Sequence, residues 1–506
     1  LLLVYTAASL RARQQLSEKI EERTAQAQRE LAHARELRQR VSALQKSALF
    51  LYDSRQLAEG DKLWEQAVEL QVEAKQQYAV ASRTAEAALL LDTKRVAQQR
   101  LVGSILFESA LLAERGHRLP RESGLYQRLL LYDFDGTFQK QWEAPDQVEI
   151  DSEPRGAAVT LLPIDRDYHY VSAEQRSLGR TPLPPLSLYP GGYLLTLSAP
   201  GRLEVAYPLL LRRGETLKLR VPLPATEQVP AGFAYVPPGR FLFGSAADEE
   251  QRRGFFFTVP LHEVQTAAFL IAQHETTYAE WLSFLRALPA VERQKHLPRA
   301  SQEGIPGFLT LRELSDGKFE LVTQPSQQVY RAREGERIVY PGRKLRREQD
   351  WLRMPVTGIS GEDAAVYLAW LRDGGRVPGA RLCSEHEWER AARGADSRIF
   401  PHGDRMEPDD ANHDRTYGRE PLGLGLDEVG VHPLSRSIFG VDDLVGNAFE
   451  WVSNSISSQS YVLRGGSYYY DRVTNRLDNR QEAEPGLHNP TVGLRVCATI
   501  LPALPQ

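Results

Sequence analysis

Two cysteines in 506 residues, Cys383 and Cys497, are too few for a disulfide framework or a cysteine-rich zinc site, although one bridge between them stays open. Neither sign of charge is in excess: a formal net charge of -4, with 25% charged and 42% hydrophobic residues, describes an ordinary solvated surface. A clustered basic face is missing, which excludes nucleic acid as a partner. The eleven histidines are scattered, and no two stand at the i, i+4 spacing of a helical zinc site. No GxSxG elbow, glycine-rich phosphate loop with its lysine, HRD-type loop or DFG occurs, so these residues carry neither serine-hydrolase nor kinase chemistry. At this length a single core is excluded, and division into about three domains is expected.

The first ten residues, LLLVYTAASL, are apolar and are followed at once by Arg11 and Arg13. Ten residues cannot span a bilayer, which takes roughly 20. With no basic leader or cleavage pattern, the run reads as the end of a truncated transmembrane helix over 1–10, giving a membrane anchor with the following domains extracytoplasmic. The alternative is the apolar first turn of a long soluble helix.

Proline is absent from Ala12 to Arg115. Leu31, Ala34, Leu37, Val41, Leu44, Ala48 and Leu51 recur at helical steps, and after an expected break at Gly60-Asp61 so do Leu63, Ala67, Leu70, Ala74 and Tyr78. A third helix is expected from Asp92 or Thr93. Residues 11–118 thus form an all-α stalk or hairpin through which the chain could dimerise, followed by a linker over 119–147.

Beyond Pro120 the texture changes. Val159–Leu162 and Tyr193–Leu197 read as strands, and GRTPLPPLSLYPGGYLLTL supplies turns between them. The SEPRGAAV start, the GRTPL turn and the PGGY hairpin resemble the PEGA domain, which implies a small β-sandwich over 148–224 with no chemistry of its own.

From Pro230 a string of motifs follows in order: FAYVPPGRFLFGS, FLIAQHETTYAEWLSFL, MPVTGISGEDAAVYLAWL, ARLCSEHEWERAARG, FGVDDLVGNAFEWV, VLRGGSYYY and VGLRVC. Ser360 and Ser384 are placed to cap helices, the second with Glu387 at the capping-box position and Gly394 at its end. Ala364, Ala365, Leu368 and Ala369 are the expected buried face of the first. Gly465 and Gly466 permit a close backbone approach. Arg464 and Arg495 read as buried donors that hold loops.

Over 230–502 these motifs resemble the formylglycine-generating enzyme family, the sulfatase-modifying factors, implying an α+β variant of the C-type lectin fold. The order of stalk, PEGA-like unit and family domain also resembles the outer half of bacterial membrane-bound serine/threonine kinases. By position the resemblance implies a calcium site made by Asp443, the carbonyls of Gly446 and Ala448, and Glu450, ligands of the hard-oxygen kind that calcium takes. A second site would begin at Asn412 and the carbonyl of His413, without a clear acidic partner. A turn at Gly446-Asn447 with Asp443 as its cap is the competing reading.

The family's oxidases need two cysteines after GGS to hold copper. Here Tyr470 and Asn475 stand near those positions, and phenol and amide oxygen do not suit Cu(I), so no copper is expected. That points to a noncatalytic module whose recognition surface is lined by Tyr468, Tyr469, Tyr470, Asp471, Arg472, Asn475 and Arg480, with a peptide, glycan or small molecule as ligand. The alternatives are a diverged nonheme metal oxidase and a variable binding protein of a diversity-generating retroelement.

Overall fold

The computed structural model describes residues 2–115, 124–164, 175–456 and 461–500. They divide into two compact units, Leu1–Ala144 and Pro145–Gln506.

In the first unit α1 (Leu2–Asp53) and α2 (Leu57–Leu89) form an antiparallel hairpin, and α3 (Val96–Arg115) lies along it. Leu31, Ala34, Leu37 and Val41 bury one seam of α1, and Ala67, Ala74 and Tyr78 the facing seam of α2. Small residues dominate because two helices can approach closely only where side chains are short. The chain reverses earlier than expected, at Ser54–Gln56, where Arg55 takes φ +60°. Gly60 instead lies inside α2, where a Cβ would come within 2.7 Å of the Tyr52 ring. The glycine marks a packing contact rather than a break.

The expected linker also contains structure. Two six-residue helices, α4 (Leu125–Leu130) and α5 (Thr137–Trp142), pack on α3, the latter through Phe138 and Trp142 against Phe107. Each starts from a left-handed glycine, Gly124 or Gly136, and both are too short for helical periodicity to reveal. Among the described residues no helix is long and apolar enough to cross a membrane; the side chains of residues 1–7 lie outside the description.

The second unit opens with seven strands: β1 (Asp146–Glu153), β2 (Ala158–Ile164), β3 (Arg176–Arg180), β4 (Leu183–Leu188), β5 (Gly191–Ser198), β6 (Val205–Leu211) and β7 (Thr216–Pro222). They make two sheets, ordered β4-β1-β7 and β3-β2-β5-β6. Val148, Ile150, Val159, Leu161, Leu195 and Leu197 fill a shared core that also takes in Tyr235, Leu270 and Ala498 from the following region. Through this shared core the seven strands and the region that follows them belong to one compact unit.

The remainder has two four-stranded sheets. One is ordered Ala380–Leu382, Val496–Ala498, Phe269–Ala272, Phe233–Val236; the other Gln481–Ala483, Tyr461–Arg464, Phe449–Ser453, Val492–Gly493. A meander from Arg299 to Arg333 forms a third. The helix Gly361–Asp373 is capped by Ser360, which exchanges bonds with Asp363, and Glu385–Arg393 by Ser384 with Glu387. On the first helix Ala364, Tyr367, Leu368 and Leu371 form the buried stripe; Ala365 points to solvent, because the true face follows i, i+3, i+4, i+7. Cys383 and Cys497, fully buried with Cα atoms 4.9 Å apart, form a disulfide that ties the segment before Ser384 to the closing strand.

Candidate functional site

The strand Tyr461–Arg464 is anchored by Arg464, which donates to Glu385 at 3.0 Å, to Glu389 and to the Leu477 carbonyl at 2.5 Å. Arg480 reinforces Glu385 from the other side, Nε to Oε1 at 3.0 Å. All four side chains are buried, so each charge depends on its partners. Burial pushes Glu385 up, but the Arg480 and Arg464 guanidiniums outweigh it and hold the carboxyl below its ordinary range.

From this base the chain turns through Gly465 and Gly466, with φ of +94° and +75°. A Cβ on Gly466 would overlap Asn475, which packs directly on the glycine. Asn475 Nδ2 donates to the carbonyls of Tyr470 and Asp471, both at 2.8 Å. Asp471 Oδ1 accepts from the Val473 and Thr474 amides at 3.1 and 2.9 Å. Asp414 N donates to the Tyr470 carbonyl at 3.1 Å, and Tyr468 N to the Asn447 carbonyl at 3.1 Å. The loop 467–475 is thereby fixed from inside and from both neighbours.

Residues 470 and 475 are brought together, but as a hydrogen-bonded carbonyl and amide. Both cysteines are spent on each other elsewhere. Of the seven residues expected on a recognition surface, Tyr469 (54% exposed), Tyr470 (37%), Asp471 and Arg472 are displayed together. Tyr468, Asn475 and Arg480 are buried and do not line it. The reason is local: Tyr468 points into the core, Asn475 ties the loop and Arg480 serves Glu385. The Tyr469 and Tyr470 rings meet edge to face with centroids 5.5 Å apart, and Tyr470 leans on Phe449 at 5.6 Å. Rings supported in this way give apolar area at little entropic cost.

A second cluster lies under the sheets. Asp443 is buried in a left-handed conformation, φ +57°, and its Oδ2 accepts from Gly430 N at 2.6 Å. Burial pushes its carboxyl up to about 6. Glu450, fully buried, accepts from Arg495 Nη2 and Trp388 Nε1, each at 2.7 Å. The carbonyls of Gly446 and Ala448 accept no hydrogen bond among the described residues. Glu275 joins them: 1% exposed, neither carboxylate oxygen has a hydrogen-bond partner. Burial, then the facing charge of Asp443, push it well above the ordinary carboxylate range; Arg495 opposes them and Glu450 adds to the rise.

Uncommitted carbonyls and under-compensated carboxylates are donors of the kind a hard cation takes, so the residues fit calcium in chemistry. Among the described residues no three His, Cys, Asp or Glu side chains are already gathered as a metal cage. At the second position implied for calcium, Asn412 Nδ2 donates to Gly425 O at 3.0 Å and to Asn447 Oδ1 at 3.1 Å, and the His413 carbonyl accepts from Thr416 N at 3.1 Å. Glu275 is not singled out by the motif FLIAQHETTYAEWLSFL alone. Its signal was an acid placed between the buried strand FLIA and the capping box Thr277–Glu280.

The family model described as a sulfatase-modifying factor enzyme 1-like domain matches residues 220–500, and the chain belongs to that family. It is 28% identical over 273 residues to the inactive Cα-formylglycine-generating enzyme 2 of Bos taurus, covering 49% of this chain and 83% of that one. To the formylglycine-generating enzyme of Mycobacterium tuberculosis it is 27% identical over 231 residues, 43% of this chain and 72% of that. To the serine/threonine-protein kinase Pkn1 of Chlamydia trachomatis it is 24% identical over 284 residues, 52% of this chain but only 37% of the kinase. The solved structure of PvdO from Pseudomonas aeruginosa is similar at 23% identity with a TM-score of 0.38, over 53% of this chain and 94% of that chain.

Proposed function

We propose that this chain is the noncatalytic ligand-recognition part of a membrane-anchored bacterial signalling protein, its domains extracytoplasmic and a serine/threonine kinase its effector. One observation carries the reading. Where a thiol pair would do oxidative chemistry, the Tyr470 carbonyl and Asn475 amide bond each other at 2.8 Å, and that bond presents Tyr469, Tyr470, Asp471 and Arg472 to solvent. Kinship with an inactive formylglycine-generating enzyme and with a kinase supports both halves of the proposal. A disulfide between the only two cysteines favours an oxidising compartment. The apolar start LLLVYTAASL supports the anchor, and the long α1–α2 hairpin suits a dimeric stalk.

Calcium belongs to this reading as a structural ion held by Asp443, Glu450 and the carbonyls of Gly446 and Ala448. It would supply positive charge beneath the sheets and take no part in chemistry.

The test is binding of the full chain to peptide, glycan and small-molecule arrays, in parallel with a Tyr469→Ala, Tyr470→Ala double variant. Binding by the wild type that the variant loses while keeping its melting temperature supports the crest as the site. Binding that survives the double substitution overturns it.

A further inference from the structure

Buried arginines of the second unit meet carboxylates, with one exception. Arg252 pairs with Glu249, Arg343 with Asp427, Arg393 with Glu389, Arg398 with Asp396, Arg464 and Arg480 with Glu385, and Arg495 with Glu450. Arg390, on the helix Glu385–Arg393 and 1% exposed, has no carboxylate partner among the described residues. Its Nη1 donates to the Gly239 carbonyl and, at 2.6 Å, to Thr266 Oγ1. Nε is buried without a partner, and Nη2 makes no hydrogen bond among the described residues. Burial pulls this guanidinium down to about 10, which leaves it charged at neutral pH. A buried charge left unanswered is costly.

The idle Nε–Nη2 edge is the side on which a guanidinium receives a carboxylate through two parallel bonds. The fold uses that edge elsewhere. Arg398 gives Nε and Nη2 to the two oxygens of Asp396 at 2.8 and 2.7 Å, and Arg436 gives them to Asp442 at 2.7 and 3.1 Å. Beside Arg390 a space is kept open: a Cβ on Gly239 would lie 2.6 Å from Nη2 and 2.9 Å from the Tyr207 hydroxyl, so the glycine leaves a gap that both groups border. That hydroxyl also makes no hydrogen bond among the described residues. Gly239 and Tyr207 form part of the wall of a cavity of about 540 Å³, between β6 and β7 on one side and the paired strands Gly239–Phe243 and His262–Thr266 on the other. Pro208, Leu217, Leu219 and Val264 give it apolar walls. A concave apolar site with a few convergent polar groups is the usual form of a small-molecule pocket.

Charge selects the ligand. The other cations at the cavity are matched: Lys218 lies 3.1 Å from Glu149, Arg220 pairs with Glu153, and Arg240 donates to Glu215 at 2.6 Å. Glu263, the carboxylate of the wall, lies 3.1 Å from Arg212. What remains is the single positive charge of Arg390, which a monocarboxylate cancels and a phosphate dianion overshoots. We propose that this cavity binds a small organic monocarboxylate, its two oxygens on Arg390 Nε and Nη2, the Tyr207 hydroxyl donating to one of them, and its apolar body against Leu217, Leu219 and Val264. The site uses none of the crest residues and does not depend on the crest reading. Its ligand would bridge the seven-stranded region, through Tyr207, to the family domain, through Arg390.

The full chain is titrated by calorimetry with acetate, hexanoate and benzoate, with hexanamide as the uncharged counterpart and inorganic phosphate as the alternative anion, and melting curves are recorded alongside. Wild type should bind hexanoate or benzoate more tightly than acetate, melt higher in their presence, and give no binding heat with hexanamide. Arg390→Met, which keeps the length and removes the charge, should melt no lower than wild type without ligand and lose at least tenfold in carboxylate affinity. Tyr207→Phe should weaken binding severalfold. Gly239→Ala places a methyl group in the gap while Arg390 stays, and should also cost at least tenfold, so it carries the test if Arg390→Met does not fold. No binding of any of the three carboxylates would overturn the proposal and leave the Arg390 edge to buried water alone. Equal binding of hexanamide, tighter binding of phosphate, or undiminished carboxylate binding by the Arg390→Met or Gly239→Ala variant would overturn it as well.

Discussion

Replacing Asn475 by Asp changes one nitrogen to oxygen and should still be among the most damaging substitutions in the molecule. Asn475 Nδ2 donates two bonds of 2.8 Å to the Tyr470 and Asp471 carbonyls, and its Oδ1 is buried without a donor. Truncation to Ala removes both bonds, each worth about 1 kcal/mol net, but also removes the unsatisfied Oδ1, which returns roughly 1–2 kcal/mol. Asn475→Ala should therefore cost only about 1 kcal/mol plus the small cavity it leaves. Asp leaves the shape intact and turns the donor into an acceptor, so a buried carboxylate faces two carbonyls with no proton between them. That loss adds desolvation of an unpaired charge, and about 3–5 kcal/mol is expected. Urea denaturation at pH 7 of wild type, Asn475→Ala and Asn475→Asp gives the comparison, and amide exchange over 467–475 reports whether the crest loosens. Equal stability of the Asp and Ala variants would refute the assignment of Asn475 as the internal donor that fixes the crest.

Other outcomes follow from the same packing. A Cys383→Ser, Cys497→Ser variant opens a bridge across 114 residues and should lose about 2–5 kcal/mol in urea denaturation while leaving the Tyr469–Arg472 surface intact. Gly60→Val places a branched side chain where even a Cβ would lie 2.7 Å from the Tyr52 ring, and should lower the cooperative melting of the helical unit, whereas an exposed control such as Val72→Ala should not. Glu385 is held below its ordinary range in the folded state, so its contribution is complete above the unfolded value of about 4.3 and disappears as pH falls through the folded value. The stability gap between wild type and Glu385→Gln, about 3–5 kcal/mol near neutrality, should thus shrink at low pH, and a gap constant from pH 7 to pH 3 would contradict the pairing with Arg464 and Arg480.

Much of this architecture is written in local patterns. The alanine seam of the hairpin, the Ser360 and Ser384 caps and the buried roles of Arg464 and Arg495 follow from helical spacing, capping chemistry and the motif order. Three features escaped for physical reasons. Gly60 looked like a breaker because glycine serves both turns and close packing, and only the position of Tyr52 distinguishes them. Tyr468, Asn475 and Arg480 looked like partners of the displayed residues because they are neighbours in sequence, but Tyr468 packs in the core, Asn475 is turned inward to the carbonyls of Tyr470 and Asp471, and Arg480 is bound to Glu385. Glu275 needs the fold outright, since nothing in HETTY says that its carboxylate will face Asp443 and Glu450 from some 170 residues away.

The central claim, recognition without oxidation, is tested most directly by anaerobic titration of the full chain with Cu(I), followed by oxygen and a cysteine-containing sulfatase peptide read by mass spectrometry. The account predicts no stoichiometric copper and a peptide of unchanged mass, because Tyr470 and Asn475 offer no thiolate and Cys383 and Cys497 are bonded to each other. One equivalent of bound copper together with conversion of the peptide cysteine to an aldehyde would contradict it.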